Sequence, residues 1–408
     1  MKTRYIKLKK AHRSQGAVLA IMVMLILLLS LTSLALIRVG QEARMRTVRN
    51  VADNGARFAA DAGIERAVYQ MNQSLQLGWW YIYGMPSYYS EALSGCGDAE
   101  YTVTYTGDLS SGYTITSVGQ YNNADQTIQA TVVLTSPIAE GYAILTKNLL
   151  DMKNKSTVSA YNSSDPSDPE VSVAIGTLST KSDSIDMKNG AVVEGDVYVG
   201  VGADPDQVVK TKNTSSIEGE IFAMPMTYNL PSVDAPFYLA SLGKIDGKNI
   251  SLSFWDSGKY SEIDISNNGT LEIDGNVVLY ITGDITLNNN AALKVKKGSS
   301  LTLYFDGDIE AKNGSKINNE AEVPAQLKIY GTGENQSIDL KNGSDIHAVV
   351  YAPDADMVIH NKVDAYGSFI VDSFELKNSG NVYYDTALKD VSVTDECVFF
   401  KVSRWEEL

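Results

Sequence analysis

Residues 17–37 read AVLAIMVMLILLLSLTSLALI, which is 21 residues without a charge, a proline or a glycine. As a helix the run reaches about 30 Å, enough to cross a bilayer. Its only polar residues are Ser30, Thr32 and Ser33, whose small hydroxyls can bond back to the helix backbone. Before it stand Lys2, Arg4, Lys7, Lys9, Lys10 and Arg13, with no acidic residue. That bias keeps the leader cytoplasmic and sends everything after residue 37 outward. Two plainer readings stay open: a cleaved secretory signal and a simple single-span anchor. Against the first, the sequence after Ile37 (Arg38-Val39-Gly40-Gln41-Glu42) is not a small-residue cleavage site.

No proline interrupts the chain from Arg38 to Leu77. Arg49, Asp53, Arg57, Asp61 and Glu65 fall at successive i, i+4 positions, as on a solvated helical stripe. Met45, Val48, Ala52, Ala56, Ala59 and Gly63 mark a second face of mostly small residues. Small residues let a helix approach a neighbour closely. The spacing predicts one helix over 17–77, half apolar and half solvated.

The stretch from Gly16 to Asn72 resembles the N-terminal region of PilX-type minor pilins and related type IV pilin-like proteins. The matching features are a basic leader ending in Gly16 and an apolar helix opening at Ala17. Downstream come Glu42-Ala43-Arg44-Met45, Arg49-Asn50 and Ala60-Asp61-Ala62-Gly63-Ile64-Glu65-Arg66-Ala67. The resemblance implies cleavage between Gly16 and Ala17 by a prepilin peptidase, and methylation of the new amine. It also implies other pilins or pseudopilins as partners. The precursor would sit in the inner membrane, and the mature chain in an extracellular filament or at the cell surface. Glu42 and Arg49 would belong to the filament-core helix. One departure matters: most major pilins carry glutamate as fifth residue of the mature chain, and here that residue is Ile21. In the family that carboxylate is thought to neutralise a neighbour's terminal amine. Burying an unpaired ammonium is costly, so Ile21 points to a minor, low-copy subunit.

Charge divides unevenly along the chain. Through residue 66 there are 12 basic and 4 acidic residues; the remainder holds 22 and 45, a net of −23. Such a surface disfavours nucleic acid as a partner. The two cysteines, Cys96 and Cys397, would both lie outside the cytoplasm, where a disulfide persists. They could pair with each other or remain two separate thiols.

EYTVTYT (100–106), GYTITSVG (112–119) and QTIQATVVLT (126–135) alternate with period two, separated by Gly/Asp/Ser and Asn-Asn turns. They predict an antiparallel meander in a segment 78–140, packed on the helix. The aromatic stretch 78–97 reads as a loop over the helix–sheet seam. From about residue 141 to 395 a turn motif recurs: Met152-Lys153-Asn154, Met187-Lys188-Asn189-Gly190, Thr211-Lys212-Asn213, Ala311-Lys312-Asn313-Gly314, Leu340-Lys341-Asn342-Gly343 and Leu376-Lys377-Asn378. Between the turns lie short apolar strands such as VVLYI (277–281), LTLYF (301–305) and LKIYG (327–331). The expected fold class is α+β: the long helix with a small antiparallel sheet, then a parallel β-helix (β-solenoid) with Asn at left-handed turns. The competing reading is a β-sandwich or jelly roll with Asn-Gly hairpins. Residues 396–408 read as a tail. His347–Asp356, Tyr366–Val371 and Asn381–Asp385 resemble the uncharacterised β-helical domain found behind PilX-type N-termini. No activity comes with that resemblance.

Catalysis has little to stand on. The histidines are His12, His347 and His360, and no metalloprotease, nucleophile-elbow or P-loop motif occurs. Asp284, Asp306 and Asp308 could be cast as glycosidase-type carboxylates, but Asp beside Gly is first a turn former. The acidic stretch Asp165–Glu170 has no EF-hand spacing. We expect no enzyme, no metal and no cofactor. Two alternatives remain: a membrane-anchored β-helix protein that binds or degrades carbohydrate, and a type II secretion tip pseudopilin.

Overall fold

The computed structural model describes residues 15–76, 80, 91–93, 98–136, 138, 141–165, 167, 172–389 and 398–408. Cys96, Cys397 and the leader's charged residues lie outside them. Two compact units result: residues 1–133 with 401–408, and residues 134–400.

In the first unit a single helix, α1, runs Gln15–Gln76. Its C-terminal half lies on a sheet with strand order β1 (Glu91–Ala92), β2 (Glu100–Asp108), β3 (Gly112–Tyr121), β4 (Ala124–Thr135), β5 (Phe399–Glu407). The pairs β1–β2, β2–β3 and β3–β4 are antiparallel. Alternation buries Ile115, Ser117, Ile128, Ala130 and Val132 and turns the intervening residues outward. The β2–β3 turn is closed by Asp108, whose Oδ1 accepts from the backbone N–H of Ser110 (2.9 Å) and Ser111 (2.8 Å). The Ser111 backbone bond, with the serine hydroxyls, holds this carboxyl down at about 2.

Part of the stretch 396–408, read from the sequence as a tail, is ordered: Phe399–Glu407 is an edge strand beside β4, with Leu408 N–H bonded to Thr127 O at 3.0 Å and Arg57 paired with Glu407 at 3.2 Å. Sequence neighbours could not reveal this, because the second unit is inserted between the two adjacent strands β4 and β5.

In the second unit every described strand pairing is parallel, which a sandwich built on hairpins does not give. Registers line residues up in columns. One column runs Ile245, Ile263, Ile285, Ile309, Ile338, Met357 and Phe374, then continues with Leu150, Ile185 and Val209. A second runs Leu271, Leu293, Ile317, Ile346, Ala365 and Val382, then Val158 and Val193. All are buried and form one continuous core. Aliphatic residues repeat because each occupies the same environment one row further along.

The order of rows is not the order of sequence. Rows 241–385 stack in sequence, and the row at 364–385 then pairs with the first one, 142–161. Rows 142–223 carry the stack onward from there. The chain thus enters the stack part-way along and winds to one end. It crosses to the other end through residues 224–240 and winds back to its starting row. Met224, Tyr228, Leu230 and Val233 of the crossing segment are buried, and Tyr351 Oη donates to Pro231 O at 2.8 Å.

Two polar columns reinforce the rows. Asn213, Asn189, Asn154, Asn378, Asn361, Asn342 and Asn313 form a ladder in which each amide N–H donates to the next Oδ1. It runs one way along the stack and crosses the join between Asn154 and Asn378 unbroken. Asn154, Asn189 and Asn213 have φ of 43°, 55° and 49°, the left-handed geometry Asn tolerates. Beside them Lys153 bridges Asp151 and Glu375 across the same join, and Lys188 bridges Asp186 (2.8 Å) and Asp151 (3.2 Å).

Candidate functional site

The long helix has two environments. From Val18 to Ile37 it is apolar and exposed, with the membrane-length window 0% buried. Ser30 Oγ donates to Leu27 O at 2.8 Å and Thr32 Oγ1 to Leu29 O at 3.0 Å, so these hydroxyls make no demand on a neighbour. Gly16 and Ala17 lie in the first turn of α1. Ile21 is 62% exposed, and Glu42 and Arg49 are exposed on the same uncovered stretch.

From Ala52 the helix is clamped. Ala56, Ala59, Ala60, Ile64, Ala67 and Met71 are fully buried. Contact is close enough that a Cβ on Gly119 of β3 would lie 2.1 Å from Ala56 O, and one on Gly63 of α1 2.2 Å from Ser117 Oγ. Glycine on each side lets helix and sheet backbones meet. The small-residue face expected from the sequence therefore divides: its members from Ala52 onward pack on the sheet, whereas Met45 and Val48 are 57% and 59% exposed. Among the described ion pairs none joins the i, i+4 partners of the charged stripe; Arg57 reaches Glu407 instead.

Two of the three carboxylates considered for catalysis, Asp284 and Asp308, bond to the backbone of the neighbouring row. Asp284 Oδ1 accepts from Asp308 N–H (3.0 Å), and Asp308 Oδ1 from Ser337 N–H (2.7 Å). Each ties one row's corner to the next. His360 stands in the lysine column, 2.8 Å from Asp339, with burial lowering its pKa. His347 stacks on Tyr366 at 4.2 Å, and burial lowers its pKa as well. Among the described residues no group of three or more His, Cys, Asp or Glu side chains could hold a metal.

One exposed feature escaped sequence reasoning. Phe254 and Trp255, 59% and 86% exposed, project from a short turn at the end of the stack. A single aromatic pair among many tyrosines gave no periodic signal.

Comparison with known proteins adds little. Residues 239–391 match a family described as a domain of unknown function (DUF7305). No curated protein matches the chain. Among solved structures, the crystal structure of competence-associated pilin ComZ from Thermus thermophilus is similar at 13% identity. That match covers 88% of this chain and 97% of that one, with a TM-score of 0.26. A likeness at that score carries no argument about function.

Proposed function

We propose that the chain is a minor type IV pilin-like subunit that enters a surface filament and assists its assembly or adhesion by packing and binding, not by bond chemistry. The observation that carries this reading is the division of α1. One continuous helix is bare and apolar over a bilayer's length and is clamped to a small sheet over the rest. A bare apolar half is stable in lipid, or among like helices in a filament core. Cleavage between Gly16 and Ala17 would free it to move from one to the other. Ile21 offers no carboxylate to a neighbour's terminal amine, which suits a low copy number. We further read the parallel columns of the second unit as successive coils of a β-solenoid, each adding about 4.8 Å.

Mass measurement of the native N-terminus tests the proposal, together with probing of filaments sheared from the cell surface. A chain beginning at methylated Ala17 and present in the sheared fraction is the expected result. An intact Met1, a cut after residue 37, or absence from every extracellular fibre overturns it.

A further inference from the structure

The arginines of α1 divide as its packing does. In the clamped half, Arg57 pairs with Glu407 at 3.2 Å and Arg66 lies over the Tyr69 ring at 5.9 Å. In the bare half, Arg38, Arg44, Arg46 and Arg49 are exposed, and their guanidinium groups have no partner among the described residues. Residues 38–52 set these four against one acidic side chain, Glu42, a net of +3. Beyond residue 66 the net charge is −23, so this segment is the basic exception in an acidic exported chain.

A charged stretch on a helix is ordinarily a solvated face. Position sets this one apart. Arg38 directly follows the apolar run that ends at Ile37, and α1 passes through both without a break. With Ile37 at the edge of the hydrocarbon, Arg38 lies in the headgroup layer, roughly 6 Å deep on each side of a bilayer. Arg44 and Arg46 follow about 10 and 14 Å from that edge, within about 8 Å, one Debye length, of the headgroups. Arg49 stands about 18 Å out, and the reach of its long side chain recovers part of that distance. The four charges are thus graded by distance from one plane.

Their angular spread chooses the occupant. At about 100° per residue, Arg38, Arg46 and Arg49 fall within about 80° of one another, whereas Arg44 lies at least about 120° from each of them. A single neighbouring protein face cannot meet both sides of the helix; a headgroup layer surrounds it. The guanidinium fork matches paired phosphate oxygens. An anionic leaflet repels an acidic body, and arginines at its neck offset that repulsion.

We propose that Arg38, Arg44, Arg46 and Arg49 form a collar that binds the headgroups of anionic phospholipids on the exported side of the membrane and fixes the depth of α1. The inference rests on the reading of residues 17–37 as a membrane span. For the test, the full chain is reconstituted in phosphatidylcholine vesicles. Electron spin resonance then reads the preference of its lipid shell for spin-labelled phosphatidylglycerol over spin-labelled phosphatidylcholine. The leader is the same in every variant, so its basic residues do not affect the comparison. The parent should show a severalfold preference. Arg38→Gln, Arg44→Gln, Arg46→Gln and Arg49→Gln together should at least halve it, whereas Lys at the same four positions should keep most of it. Among single changes, Arg38→Gln should cost more than Arg49→Gln. Salt at about 1 M, where the Debye length is about 3 Å, should remove the arginine-dependent part. These side chains hold nothing in place, so the variants should keep the parent's melting curve, which checks that they fold. Equal preference in the parent and the fourfold Gln variant overturns the proposal and leaves the span standing. So does loss of the preference to inorganic phosphate at matched ionic strength, which would assign the collar to free anions. Arginine-dependent self-association in pure phosphatidylcholine overturns it as well, because the occupant would then be a second copy. A chain that does not float with the vesicles at all overturns this inference and the span together.

Discussion

The two units reach order by opposite means. In the first, a helix and an antiparallel sheet are held by a few close approaches, each made once: Gly119 under Ala56, Gly63 over Ser117. In the second, apart from the crossing segment 224–240, most contacts repeat. The same aliphatic, asparagine and lysine positions recur row after row, and each row depends mainly on its neighbours. A defect in the first unit should therefore be local and severe. In the second its cost should depend on the row, and be greatest where sequence-distant rows join.

The largest effect is expected at that join. Phe374→Ala removes a fully buried ring that lies against Leu150 in the column. A loss of about 4 kcal/mol is the usual scale for such a cavity. Hydrogen exchange should then loosen rows 142–223 while rows 258–319 stay protected; uniform loosening would show that the stack behaves as one cooperative body. Gly119→Val tests the other unit. Its side chain would begin within the α1 backbone, costing about 3 kcal/mol by forced separation of helix and sheet. Exchange should rise in Ala52–Met71 and β3 and leave the second unit unchanged.

A smaller effect is expected of Asn378→Ala, which breaks the ladder at the join for about 1 kcal/mol. The same change at Asn213, where the ladder ends, should cost less.

Acid should separate the units too. Burial lowers the pKa of His347 below its unfolded value near 6.5, despite the opposing pull of Glu322. The unfolded chain then binds a proton that the folded chain refuses, so stability is full above about pH 6.5 and declines as pH falls through the folded value. His360, lowered by burial in the same direction, adds to that slope, so His347→Phe should reduce it without abolishing it. Desolvation pushes the carboxyls of Asp186 and Glu375 up, but their lysine partners outweigh it and hold both low. Their contribution is present above about pH 4 and is lost below it. A titration of the second unit's melting temperature, read by exchange, checks both steps.

Much of the first unit was legible. The expected helix 17–77 is observed at Gln15–Gln76, and the three alternating runs are β2, β3 and β4 with slightly longer ends. Period and turn chemistry are local properties, so local sequence carries them. The recurring Lys-Asn turns likewise foretold asparagines in the left-handed conformation, as at Asn154, Asn189 and Asn213. The strand Phe399–Glu407 was missed because more than 260 residues separate it from its neighbour β4. The candidate site was half legible. The apolar half of α1 is plain in composition, but the division of its small-residue face at Ala52 depends on where the sheet ends. The aromatic corner was invisible, because exposure of Trp255 is a property of an end row, and no residue announces that it stands last.

By itself the sequence determined the periods: one helix long enough to leave its sheet, strands that alternate, and turns that require left-handed backbone. Those follow from steric and hydrophobic preferences that act within a few residues. Only the tertiary structure decided which row meets which. The backbone hydrogen bonds between rows are nearly the same for any pair of apolar strands. What selects Phe374 against Leu150 is the fit of whole rows, with the asparagine ladder and the Lys153 bridge closing over the join. Register and order are collective choices, made by the assembled stack and not by any segment of it.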